Sequence, residues 1–136
     1  MVLVATAQAV AEEPVTNRLS AVEVRESDSA TEVVVKGSAP PTFTVFKLTD
    51  PVRLFVDISN ADISAVPGPV EVDNGVVGDI TTLQFDDDLV KVGRIIVGLE
   101  VDALYSVRQV GNDLVIKVDA SSRKAKRPAA VSAAPA

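Results

Sequence analysis

Thr49-Asp50-Pro51-Val52-Arg53-Leu54-Phe55-Val56-Asp57-Ile58-Ser59-Asn60-Ala61 decides how the chain reads. Asp-Pro bends the backbone and pushes the residue before the proline away from helix. The residues after it alternate. Val52, Leu54, Val56 and Ile58 fall on one face of a strand, and Arg53, Phe55 and Asp57 fall on the other. The first set suits the interior of a sandwich. The second puts two charges and an aromatic ring together on the opposite face. Ser59-Asn60-Ala61-Asp62 closes the strand with turn chemistry.

Short strands continue on both sides of this stretch. Leu19–Arg25 alternates, Glu26-Ser27-Asp28-Ser29 turns, Thr31–Gly37 is valine-rich, and Ser38-Ala39-Pro40-Pro41 breaks the run before a strand at Phe43–Leu48. Ser59–Gly78 is a long connection with turn signals at Pro67-Gly68-Pro69 and Asn74-Gly75. Val70-Glu71-Val72 within it predicts a short edge strand. Valine dominates throughout, which favours strand over helix.

The order of strands then repeats. Ala21–Arg25 matches Thr82–Asp86, Glu32–Val35 matches Arg94–Val97, Phe43–Val45 matches Tyr105–Val107, and Leu54–Ile58 matches Leu114–Val118. The offset stays near ~60 residues, longer than a solenoid unit, and two copies fall short of the ~3 a solenoid needs. Two copies suit two similar sheets stacked face to face. The expected fold is all-β: a small sandwich of two duplicated sheets of about four short strands each. Its expected core is Val22, Val24, Val33, Val35, Leu54, Val56, Ile58, Leu83, Phe85, Ile95, Val97, Leu99, Ile116 and Val118.

Composition narrows the function. The chain has 136 residues, room for one domain with tails, and 47% hydrophobic residues, enough for a core. A net charge of −6 argues against nucleic acid, which needs clustered cations. Histidine and cysteine are absent, so a histidine-based triad, a cysteine nucleophile and the usual zinc sites are excluded. Asp86-Asp87-Asp88 reads as a solvated turn, because calcium needs oxygen ligands converging from several directions. No metal and no cofactor are expected. The domain is expected at 17–120. Residues 1–16 read as a signal-peptide remnant or disordered start, with two A-x-A patterns at Ala7–Ala11, too short to span a membrane. Residues 121–136 read as an Ala/Pro-rich basic linker.

The stretch Pro51-Val52-Arg53-Leu54-Phe55-Val56-Asp57-Ile58 resembles the signature strand of the AMIN domain, "P-x-R-[LV]-x-[VI]-D-[LI]". Leu19–Gly37 is similar to that family's opening hairpin, and Gly93–Leu99 to its second-half strand, so the resemblance covers about Asn17–Ala120. The second half departs from the first, since Lys117 stands where Asp57 does and a position near Asp113 where Arg53 does. The resemblance implies a small β-sandwich in the periplasm, of the kind found in amidases and in outer-membrane secretins of type IV pili. There it is expected to hold its host on peptidoglycan. The Ala/Pro-rich tail is similar to the spacers of such secretins.

Parity assigns the candidate surface. Glu32, Val34, Lys36, Arg53, Phe55 and Asp57 are expected to face outward on one sheet, and Arg94, Ile96, Val115 and Lys117 on the other. Arginine suits the carboxylates of stem peptides because its planar fork makes two parallel hydrogen bonds. Arg53 and Arg94 are the candidates for that role. Asp57 is placed to hold Arg53 or to accept a bond from a ligand amide, and Phe55 to lie under a sugar face. Lys36 and Lys117 complete the ligand-binding set as outward cations. The expected function is a non-catalytic periplasmic module that anchors a pilus secretin to the wall. The competing reading is a sandwich that docks proteins of the pilus assembly without touching glycan. Hydrolysis by paired carboxylates fits poorly, because these acids sit in turns and on an open sheet.

Overall fold

The computed structural model describes residues 16–120. The tail expected at 121–136 and nearly all of the expected N-terminal remnant lie outside the described residues. In chain order the strands are β1 (Asn17–Arg18), β2 (Ala21–Glu26), β3 (Ala30–Lys36), β4 (Phe43–Leu48), β5 (Arg53–Ser59), β6 (Ala61–Asp62), β7 (Val70–Glu71), β8 (Val77–Asp86), β9 (Lys91–Leu99), β10 (Tyr105–Val110) and β11 (Asp113–Asp119). The short edge strand expected near Val70 is β7. A four-stranded sheet runs β10-β11-β3-β2, a five-stranded sheet runs β4-β5-β9-β8-β7, and β1 pairs with β6 in parallel. Within both larger sheets every pairing is antiparallel.

The sandwich is all-β, as the valine alternation predicts, but its two sheets are not its two halves. Each half splits into two hairpins, and the halves exchange one. The β2–β3 hairpin joins β10–β11 from the second half, and the β4–β5 hairpin joins β8–β9. The joints are equivalent: Val33 opposes Ile116 across β3–β11, and Ile95 opposes Val56 across β9–β5. Repeat-matched strands therefore occupy matching places in different layers.

This exchange corrects the expected distribution of outward residues. Arg53, Phe55 and Asp57 share the five-stranded sheet with Arg94 and Ile96. Glu32, Val34 and Lys36 share the four-stranded sheet with Val115 and Lys117. Val34 and Val115, expected to be open to the outside, are buried. Both sit on central strands, with Glu23 the register partner of Val34 and Arg108 that of Val115.

Between the layers, Val33, Val35, Leu54, Val56, Ile58, Ile95, Val97, Ile116 and Val118 are fully buried as expected. Each such side chain contributes about 1.5–3 kcal/mol relative to exposure. Val22, Val24 and Leu99 pack partly buried against them. Leu83 and Phe85 depart from expectation: they are 41% and 45% exposed. Thr82, not Phe85, occupies the place in β8 that Val24 occupies in β2, since Thr82 opposes Ile95 and Val24 opposes Val33. The sequence match is thus slipped by an odd number of residues, which moves every side chain to the other face. The bulge in β8, between Val77 and Asp79, lies before this segment, and the register from Asp79 to Asp86 is unbroken.

Candidate functional site

The outer face of the five-stranded sheet gathers most of the candidate residues. Asp57 on β5 and Arg94 on β9 are direct register partners. Arg94 donates from Nε to Asp57 Oδ1 at 2.7 Å and from Nη2 to Oδ2 at 2.9 Å. This is the two-pronged fork that guanidinium and carboxylate form best. Both side chains are mostly covered, at 25% and 19% exposure. The bond to Asp57 raises the Arg94 pKa above its ordinary value, so the cation is permanent.

Rings surround that cation. The Arg94 guanidinium carbon lies 4.8 Å from the Phe55 ring centroid, 4.8 Å from that of Phe85 and 5.9 Å from that of Phe46. Phe46 and Phe55 oppose each other across β4–β5, with centroids 5.3 Å apart and planes tilted by 33°. Three aromatic rings therefore surround one clamped charge. Phe46 and Phe85 stay substantially open to solvent, as does Leu83 beside Arg94 in the register. Arg53 flanks the group, its guanidinium carbon 5.5 Å from the Phe55 centroid and its Nη1 donating to Pro51 O at 2.6 Å.

Asp57 therefore holds Arg94 rather than Arg53, which lies four residues back on the same face of β5. A directly opposed cross-strand pair sits closer than one four residues along the same strand. Arg94 spends two of its N–H donors on Asp57, leaving its remaining donors and its flat face for a ligand. Sequence reasoning missed Phe46 and Phe85. Phe46 was recoverable from parity, because Phe43 and Val45 pack on the core. Phe85 was hidden by the slip in β8.

Matching positions on the four-stranded sheet carry different chemistry. Arg108 stands where Phe46 does, Val115 where Phe55 does, and the pair Asp57–Arg94 is replaced in reversed order by Lys117–Glu32. Lys36 is occupied by an ion pair to Asp113 at 3.1 Å. Lys36 and Lys117 are thus on the far side of the domain from Arg53 and Arg94. The acidic turn uses Asp87 internally: its Oδ1 accepts from the Leu89 and Val90 amides at 2.8 Å each, which lowers its pKa.

Comparison with known protein families finds a match to the AMIN domain over residues 21–120. The chain belongs to the AMIN domain family. A search of curated proteins finds no match. The AMIN match spans both larger sheets and the ring-lined face. AMIN domains are in general periplasmic modules that bind peptidoglycan, and the family is one of binding and targeting domains rather than catalysts. Among the described residues no helix is long and apolar enough to cross a membrane.

Proposed function

We infer that this AMIN domain anchors an outer-membrane secretin of a type IV pilus machine to the cell wall, and that it grips peptidoglycan with the outer face of the five-stranded sheet. The observation carrying this reading is the set of three phenylalanines around the Asp57-clamped Arg94, with Arg53 alongside. Amino-sugar rings offer apolar C–H faces for the phenylalanines. Stem-peptide carboxylates offer acceptors for Arg53 and for the free edge of Arg94. The matching positions on the other sheet lack the rings, so Lys36 and Lys117 have no part in the grip. The Ala/Pro-rich run at 121–136 supports the secretin assignment, as a spacer between a wall anchor and later modules.

Co-sedimentation with purified sacculi tests the reading. The domain is expected to pellet with sacculi. Phe55→Ala and Arg53→Ala should each weaken pelleting by about 2- to 10-fold, the scale of one ring or one exposed charged contact. Equal pelleting with and without sacculi refutes wall binding, and unchanged pelleting by both variants refutes the assigned face. The docking alternative draws on Leu104 and Tyr105, exposed at the start of edge strand β10. Association with secretin fragments that survives sacculus removal and is lost in Leu104→Asp would favour it.

A further inference from the structure

At one end of the ring-lined face, one row of the sheet runs Arg53 on β5, Gly98 on β9, Asp79 on β8 and Glu71 on β7. Gly98 puts no side chain into the middle of this row. The row lies in a groove of about 700 Å³ that Asp73, Glu100 and Ile96 also line. Asp79 leans into the gap: its Oδ1 lies 2.5 Å from where a Cβ on residue 98 would stand. Glu100 reaches in beside it, with Oε2 3.6 Å from the corresponding point on Gly78. A guanidinium thus lines one wall of the groove and carboxylates line the other. Among the described residues, neither Arg53 nor Asp79 enters an ion pair, although both are in reach of the same space.

Opposite charges kept apart across a groove select a ligand that carries both. A bare polycation meets Arg53, a bare carboxylate meets the acids, and a neutral sugar uses neither wall. An amino-acid end, with ammonium and carboxylate on one carbon, satisfies both together. The Cα atoms of Arg53 and Asp79 are two strand spacings apart, about 10 Å, and Asp79 leaning over Gly98 shortens that span toward the size of such a group. Ile96 supplies an apolar floor, and it is the register partner of Phe55. The groove therefore opens directly onto the rings.

We propose that this groove is a subsite for a zwitterionic amino-acid end, of the kind a diamino diacid in a stem peptide leaves free, with Arg53 taking the carboxylate and Asp79 with Glu71 and Glu100 taking the ammonium. The proposal rests on the wall-binding reading for its physiological source, but the groove is testable alone. The test is an NMR titration of the isotope-labelled chain with meso-diaminopimelate, with pimelate (carboxylates only) and with cadaverine (ammoniums only). Diaminopimelate is expected to shift the amides of Ile96, Gly98 and Glu100 to saturation, and neither single-charge probe to do so at equal concentration. Arg53→Gln and Asp79→Asn should each weaken that titration about tenfold or more, as expected for a lost charged hydrogen bond. Pimelate or cadaverine titrating the same amides equally well, or diaminopimelate leaving them unmoved, overturns the proposal. If Asp79→Asn still pellets fully with sacculi while diaminopimelate fails to bind the wild type, the groove assignment falls and wall binding stands. If diaminopimelate binds but sacculi do not, the subsite stands and the wall reading falls.

Discussion

Replacing Arg94 by alanine should destabilise the domain, independently of any effect on ligand. Two charge-assisted hydrogen bonds to Asp57 disappear, at 2.7 and 2.9 Å. A hydrogen bond to a charged group is worth about 1.5–3 kcal/mol. Stacking on Phe55 and Phe85, both at 4.8 Å, adds about 0.5–1 kcal/mol for each ring. The pair is neither exposed nor deeply buried, with side chains 25% and 19% accessible, so water reclaims part of Asp57 once its partner has gone. The net cost should then be about 2–3 kcal/mol, between the ~0–1 of a surface pair and the ~3–5 of a broken buried one. Urea denaturation reads this as a midpoint lowered by about 1 M or more, and heating as a drop of about 10 °C or more. Asp57→Ala and the double variant complete the cycle. The double variant should lose at least about 1 kcal/mol less than the sum of the singles. If Arg94→Ala stays within about 0.5 kcal/mol of wild type and the double variant is additive, the clamp is not holding the rings in place, and the description of the face fails.

Leu54 and Leu114 occupy matching places in the exchanged layers and are both buried, so Leu54→Ala and Leu114→Ala should each cost about 2–5 kcal/mol in urea unfolding. Gly93→Ala would set a Cβ 3.2 Å from Leu19 Cδ1 and 3.4 Å from Ile63 Cβ, and this overpacking should lower stability by about 1–3 kcal/mol, measurable as a reduced melting temperature. Asp87 has its folded pKa lowered below 3.8 by the Leu89 and Val90 amides. Its contribution is present above the unfolded value and lost as pH falls through the folded one. Protection of the Leu89 and Val90 amides from exchange, taken relative to the intrinsic rate at each pH, should therefore fall in strong acid, and Asp87→Ala should show the low protection already at neutral pH.

The interior was legible wherever alternation was strict. In β5 the residues Leu54, Val56 and Ile58 announce a dry side, and the outward set of Arg53, Phe55 and Asp57 follows from it without further information. The partition of strands between layers was not legible. A valine-rich edge on β3 pairs as readily with its own half as with β11, and local pattern carries no term that separates the two. Arg94 was recognisable as outward, yet its partnership with Asp57 depends on a register between strands 37 residues apart. Phe85 shows the most specific failure. An apolar residue in an alternating strand is read as inward, and matching Phe85 to Val24 set the wrong phase for Leu83 and Phe85, whereas buried Ile80 and the partner pair Thr82–Ile95 set the true one. The groove around Gly98 was invisible for a different reason, because it exists only where four strands align.

The hairpin exchange also settles how the domain carries tension. A pull on the backbone leaving β11 enters the four-stranded layer, whereas the ring-lined face belongs to the other one. The covalent path between the two runs from β11 back through β10 and residues 100–104 to β9, and the antiparallel β3–β11 and β5–β9 ladders brace it by interlocking the halves. Peeling one half away would strip a hairpin out of both layers at once, so the fold resists as a latch rather than as two stacked plates.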